Sequence, residues 1–336
     1  MSVFPLAPGA TRVSRLRVTA DLRGLARETV VTAADCILPV FVAQHDEDTG
    51  PIDALPGVRR HSVEGAVEVV RRAAADGVGG VLLFGVPGWR DGEGSSADAE
   101  GGAVVSALRA IKRSSPAIAV LADVCLCAYT DHGHCSVGGL AGPDMCRTLE
   151  RHADVACAYA RAGADAVAPS GMLDGVVSAI RAAFDVDGFG ATPIVSYAAK
   201  FASALYGPFR EASGSSPAFG DRRGHQLDVA NRREALRSAL QDEAEGADAL
   251  IVKPAGWALD VVADVRARAA VPVYGYQVSG EYAMIEAAGA RGWLDARAAA
   301  LEALVSIKRA GADRIITYYA DRLAAWQRAA HGDAGS

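Results

Sequence analysis

Ile118-Ala119-Val120-Leu121, running into Ala122–Ser136, ADVCLCAYTDHGHCS, is the stretch on which the fold turns. Its apolar start reads as a buried strand, so the thiols after it emerge where a strand opens into a loop. Strand ends are where barrel enzymes keep their chemistry. Cys125, Cys127 and Cys135, half of the chain's six cysteines, are spaced C-x-C-x7-C. Residues i and i+2 of an extended segment share a face, and Gly133 lets the loop return the third thiol to the same point. Three soft ligands with a position left for water or substrate suit a catalytic zinc, and His132 and His134 could compete for that fourth position. The competing reading is three small buried hydrophobes, since free cysteine is often buried and no C-x2-C knuckle supports a metal.

Outward from this run the same unit recurs. Apolar runs at 37–42, 81–84, 118–125, 166–169, 193–197, 249–252, 271–278 and 315–318 read as eight strands. Helical patterns fill nearly every gap, among them one capped by Ser62, one at 103–112 and one at 144–163. Strands alternating with helices imply a parallel sheet, and closure into a (β/α)8 TIM barrel follows most simply. A doubly wound open sheet is the rival. No G-x-G-x-x-G follows the first run, however, and the candidate reactive residues are spread over many strand ends.

Residues 1–32 carry prolines and scattered arginines without a strand signal, and are expected as an extended N-terminal arm outside a catalytic domain of residues 33–336. The rhythm breaks between Lys200 and about Asp228, where GPFREASGSSPAFGDRRGHQLD lacks apolar periodicity. A long loop is expected there, serving as an active-site lid over about 205–228. Arg210, Arg222 and Arg223 argue for an anionic ligand beneath it, against the alternative of a plain surface insertion.

Lys200 and Lys253 each follow a buried apolar run, at the ends of adjacent strands. Two ammonium groups forced together lower each other's pKa and leave a neutral amine able to attack a ketone. The 336 residues are 51% hydrophobic and 22% charged, which excludes disorder, and a net charge of -6 offers nothing to nucleic acid or an anionic membrane. No run reaches the length of a spanning helix and no signal peptide opens the chain, so a cytoplasmic protein with reduced cysteines is expected. Cys36, Cys146 and Cys157 are assigned to packing, and His45, His61 and His152 to packing or solvation.

DVCLCAYTDHGHC, VAPSGMLDG, SYAAKFASALYGPFRE, SPAFGDRRGHQLD, NRREALR, GADALIVKPA, YQVSGEYAMI and KRAGADRIITYY together resemble the porphobilinogen synthase (5-aminolevulinate dehydratase) family, from about Arg15 to Arg328. The resemblance implies a homo-oligomer, usually an octamer, whose N-terminal arms wrap neighbouring subunits. It condenses two molecules of 5-aminolevulinate into porphobilinogen with loss of water, a step of heme biosynthesis. By the same resemblance Lys253 forms the Schiff base with the first substrate and Lys200 engages the second, while Cys125, Cys127 and Cys135 hold the zinc. Arg210, Arg222 and Gln226 would grip the second substrate's carboxylate, and Ser279 and Tyr318 that of the first. Asp123, Ser170, Phe209 and Tyr206 would line the cavity.

The chain departs from the family pattern at Gly171, where Asp is usual, at Val176, where Arg is common, and at Ala258, where Tyr is common. Trp257 is a candidate to refill the volume lost at Ala258. Ser238 replaces the Glu of magnesium-stimulated members, which weighs against an allosteric Mg2+ site. Three other functions compete with the synthase: a divergent paralogue condensing another amino ketone, a catalytically silent zinc-binding oligomer, and a generic Schiff-base aldolase. The last explains one lysine but neither the second nor the thiols.

Overall fold

In the computed structural model, which describes residues 14–332 apart from 115 and 139–141, strand β1 (Cys36–Ala43) is buried at all eight positions. An unbroken apolar run with both faces covered is the mark of a parallel strand between neighbours and helices. β1 pairs with β4 (Gly80–Val86) over seven residues, and β4 pairs with β5 (Ala119–Val124), which pairs with β6 (Ala166–Pro169). On its other side β1 pairs with β10 (Arg314–Ile316), followed by β9 (Val273–Tyr276), β8 (Ala249–Lys253) and β7 (Val195–Lys200). All these pairings are parallel. A bridge from Val167 to Ile194, with the Val167 N–H donating to the Pro193 carbonyl at 3.0 Å, joins β6 to β7 and closes the ring into an eight-stranded barrel.

Helices follow the strands as crossover units. They are α2 (Val63–Ala75), α3 (Ala103–Ser114), α4 (Met145–Ala162), α5 (Val176–Asp187), α7 (Arg232–Ala244), α8 (Leu259–Arg268), α9 (Ser279–Ala290), α10 (Ala296–Arg309) and α11 (Ala320–Gly332). Their starts follow from local chemistry. Ser62 accepts from the Gly65 N–H at 3.1 Å and Asp144 from the Arg147 N–H at 3.0 Å, each satisfying an orphan donor of a first turn. Tyr159 and Phe184 are fully buried between helices and barrel, and side chains of this size contribute about 1.5–3 kcal/mol each on burial.

Two features interrupt the eightfold rhythm. A small hairpin, β2 (Gly50–Pro51) against β3 (Arg59–His61), extends the sheet at the exit of β1, with Phe41 opposite Arg60 and Val42 opposite His61. The expected loop after β7 also contains structure of its own, a 3-10 turn Ala204–Tyr206 and helix α6 (Gly207–Ser213). α6 lacks apolar periodicity because it is short, but Pro208 in its first turn is a helix-start signal.

Residues 14–30 belong to a unit distinct from the one that begins at Val31. The first part of the expected arm, residues 1–13, lies outside the described residues. The remainder holds a 3-10 turn Arg15–Arg17 and helix α1 (Ala20–Leu25), capped by Thr19, and its Leu16, Val18, Leu25 and Val30 side chains are all more than half exposed. Two packing expectations are corrected. Cys146, in the first turn of α4, is exposed, whereas Cys36 and Cys157 are buried. Trp257 is 69% exposed and turned to solvent, so it does not refill the space beside the buried Ala258.

Candidate active site

At the exit of β5, Cys125 follows the strand directly and Cys127 lies in the turn after it, and the three sulfurs of Cys125, Cys127 and Cys135 lie within 4.8 Å of one another. Gly133 has φ +72°, and a Cβ there would meet the Ser216 carbonyl, so glycine is required both for the turn and for the approach of the neighbouring segment. All three thiols are buried. The contact with Cys125 and burial push the Cys127 thiol up to about 11. Sulfurs on a tetrahedral zinc stand about 3.8 Å apart given Zn–S bonds of about 2.3 Å. The cluster therefore fits a soft cation with modest adjustment. Neither histidine joins it. His132 Nδ1 accepts from the His134 N–H at 3.1 Å while its Nε2 is buried without a partner, His134 Nε2 lies 2.9 Å from the Phe219 carbonyl, and neither ring belongs to the close group of ligand atoms that the three sulfurs form.

Lys200 and Lys253 are direct partners in the β7–β8 register. Strict alternation would send Tyr197 and Lys200 to opposite faces of β7, but the register shifts between Ser196 and Ala199, and this irregularity turns both toward the barrel axis. Lys200 Nζ donates to the Ser170 carbonyl at 2.5 Å and lies 5.6 Å from the Tyr197 ring centre. Lys253 Nζ stands among four rings, 4.1 Å from the centre of Tyr276, 5.0 Å from Phe209, 5.1 Å from Tyr197 and 5.2 Å from Tyr206. Burial first, and then the charge of Lys200, hold its amine well below the usual lysine range, against the pull of Asp123. Asp123 is itself pushed up to about 6 by burial, despite both lysines and a 3.1 Å bond from the Ser170 hydroxyl.

The segment after β7 covers this end of the barrel. Tyr206, Phe209, Arg210, Ser213 and Arg222 face Asp123, Cys125, Cys127, Ser170, Lys200 and Lys253 across a cleft. Phe209 packs edge-on against Phe84 at 5.1 Å. Arg222 donates to the carbonyls of Gly133 and Ser215, yet its Nε, the Nε of Arg210 and both amide atoms of Gln226 are buried without a hydrogen-bond partner. Orphaned donors grouped like this are suited to an anion. Gln226, Ser279, Tyr318 and Cys135 do not line the cleft itself. The Ser279 hydroxyl is engaged, accepting from the Phe209 N–H at 3.1 Å and donating to the Leu205 carbonyl at 3.2 Å, and Tyr318 stacks near-parallel to Phe41 at 6.4 Å.

A family model described as delta-aminolevulinic acid dehydratase matches residues 10–326. The chain belongs to the delta-aminolevulinic acid dehydratase family. It is 47% identical to the delta-aminolevulinic acid dehydratase of Halalkalibacterium halodurans over 318 residues, 94% of this chain and 96% of that protein. It is 46% identical to that of Escherichia coli K12, over 93% and 96% of the two chains. The crystal structure of the Toxoplasma gondii ME49 dehydratase, in complex with the reaction product porphobilinogen, superposes with a TM-score of 0.90 at 39% identity, covering 95% of this chain and 92% of that one.

Of the departures noted from the sequence, Gly171 adjoins the cleft, whereas Val176 and Ala258 belong to the apolar core. Gly171 follows Ser170, and a Cβ there would lie 3.2 Å from Leu173 Cδ1 and 3.4 Å from His152 Nε2. Val176 is buried in the apolar core at the start of α5, and next to Gly171 the backbone of Met172 is held at φ +57°, a conformation that non-glycine residues rarely adopt. Several residues in or beside the cleft escaped sequence reasoning. Tyr129 and Ser213 line the cleft, and Tyr197 and Tyr276 face Lys253. Tyr276 lay in an expected strand, so its alternation was the available signal. Tyr197 had none, because its direction depends on the β7 irregularity.

Proposed function

We propose that this chain is a zinc-dependent porphobilinogen synthase, which condenses two molecules of 5-aminolevulinate into porphobilinogen with loss of water. The observation that carries the reading is that two lysine amines, paired across β7 and β8, open on the same cleft as a cluster of three thiols. Two keto substrates call for two amines. In the proposed scheme the low pKa of Lys253 leaves a neutral amine to attack the ketone of the first substrate, giving a Schiff base with loss of water. Asp123, at about 6, is placed to give and take protons at that step near neutral pH. Lys200 engages the second substrate. Zinc on Cys125, Cys127 and Cys135 would supply Lewis acidity toward that substrate's carbonyl or amine.

The unpaired nitrogens of Arg210, Arg222 and Gln226 support a grip on the second substrate's carboxylate. For the first substrate, Ser279 would exchange its bond to the Leu205 carbonyl for a carboxylate oxygen, with Tyr318 beside it and Phe209 and Tyr206 as walls. Residues 205–228 act as the lid in this reading. Holding two flexible amino ketones in register contributes on the order of 7–11 kcal/mol to lowering the barrier. A homo-octamer bearing the N-terminal segment as an arm, a cytoplasmic location and a place in heme biosynthesis complete the proposal. No helix among the described residues is long and apolar enough to cross a membrane, in keeping with it. The test is the initial rate of porphobilinogen formation, read with Ehrlich's reagent, with zinc added and then chelated. Zinc-dependent turnover is expected. Folded, zinc-loaded protein that makes no pyrrole beside an active control would overturn the reading.

A further inference from the structure

Arg60 sits on β3, a strand outside the barrel's eightfold repeat, with its backbone clamped between Phe41 of β1 and Gly50 of β2. From this mount its guanidinium crosses to α6. Nε donates to the Ala212 carbonyl at 2.8 Å and Nη2 to the Glu211 carbonyl at 2.7 Å. Both acceptors lie in the last turn of the helix, where the Glu211 carbonyl otherwise receives only a 3.4 Å contact from the Gly214 N–H and where a cation is favoured by the helix dipole. The planar fork presents two donors at fixed spacing to two such carbonyls at once. The same rim segment makes a further contact, the Ala54 N–H donating to Glu211 Oε1 at 3.3 Å. The front of α6 is held from another part of the rim, by the Ser279 hydroxyl on the Phe209 N–H. α6 is therefore tied down on two sides, and Phe209, Arg210 and Ser213, at, between and just beyond the ties, form part of the wall of the cleft.

We propose that Arg60 is a positioning residue that latches the C-terminal end of α6 and so sets Arg210 and Phe209 over the substrate cleft, an inference that rests on reading residues 205–228 as the lid of a porphobilinogen synthase. Arg60 touches no reacting atom. Its two described hydrogen bonds both go to α6, so its loss falls on closure of the cleft and leaves the lysines and thiols in place. The β2–β3 hairpin gains a purpose by the same argument, as the rigid support on which the latch is mounted.

The experiment compares wild type, Arg60→Ala and Arg60→Lys in two measurements, steady-state porphobilinogen formation and amide hydrogen exchange of the protein without substrate. Arg60→Ala is expected to raise the half-saturating 5-aminolevulinate concentration about tenfold, the equivalent of about 1.4 kcal/mol and within the range of charged hydrogen bonds, while changing kcat by no more than about twofold. Exchange should quicken in residues 207–215 alone, and added guanidinium ion should restore part of the lost affinity. Arg60→Lys, which keeps the charge but not the fork, should fall between the two, and it carries the test if the alanine variant does not fold. Unchanged half-saturation with unchanged lid exchange would overturn the proposal, as would faster exchange throughout the barrel without rescue by guanidinium. If wild type makes no porphobilinogen, the functional reading fails, while the exchange comparison still decides whether Arg60 holds α6.

Discussion

The Schiff-base role proposed for Lys253 rests on surroundings assembled from two strands, a 3-10 turn and helix α6, with Tyr197, Tyr206, Phe209 and Tyr276 around its amine. A buried amine among ring faces sheds its proton readily, and the cation of a protonated imine formed there still finds the negative faces of the rings. Replacing it, as Lys253→Met, should abolish borohydride trapping of 5-aminolevulinate at this position and lower turnover by roughly 10⁴-fold, the scale on which loss of a nucleophile is felt. Peptide mapping of the trapped adduct checks the position. At the thiol cluster, Cys127→Ser should weaken zinc by more than the roughly 100-fold that outer-sphere partners contribute. Competition with a chromophoric chelator reads this without reference to turnover. The identities of these residues were visible in the sequence, since lysines and cysteines after apolar runs stand out. Tyr197 and Tyr276 were not, because a tyrosine in a strand is ordinary until its direction is known.

Among the elements, β7 and α6 carry the least predictable part of the design. The irregularity between Ser196 and Ala199 gives β7 two inward residues three positions apart, and nothing in SYAAK announces it. α6 reaches its place because Gly280, in the first turn of α9, allows the backbone at Leu205 to come close. A Cβ at 280 would lie 2.6 Å from the Leu205 carbonyl oxygen and 2.8 Å from its Cα. The obstacle is backbone, which cannot swing aside. Gly280→Ala should accordingly push the 3-10 turn and α6 outward, lowering stability by about 1–3 kcal/mol in chemical denaturation. It should also raise the half-saturating substrate concentration. Helices α2 and α4 were legible from their caps and periodicity, whereas the β2–β3 hairpin was not, because its strands of two and three residues are too short to show alternation.

For the molecule as a whole, buried titrating groups act on acid stability in both directions, and the histidines that fold neutral lower it. His152 is fully buried in α4, its Nδ1 2.8 Å from the Thr148 carbonyl, and burial lowers its pKa to about 4. The unfolded chain binds a proton there below about pH 6.5 and the folded chain does not, so this stability is complete above 6.5 and is lost as pH falls toward 4. His225, also lowered to about 4 by burial, acts in the same direction. Asp123 and Asp242, both raised to about 6, act in the opposite sense between about 4 and 6. His152→Gln should therefore raise the unfolding free energy at pH 5 relative to that at pH 7 by about 2 kcal/mol, as measured by urea titration at the two values.

What the sequence determined by itself is the barrel and the chemistry it carries. Period-two and period-3.6 patterns are local, and so are the thiol spacing and the lysines at strand ends, so eight strands, the metal-type cluster and the two amines could be read along the chain. What only the tertiary structure decided is direction and contact. Folding turned Tyr197 inward through a strand irregularity, set Arg60 against helix carbonyls some 150 residues away, sent His132 and His134 to backbone partners and left Trp257 in solvent. Each of these depends on where a distant backbone group comes to lie, and such positions are fixed by the packing of the closed barrel, not by any run of neighbouring residues.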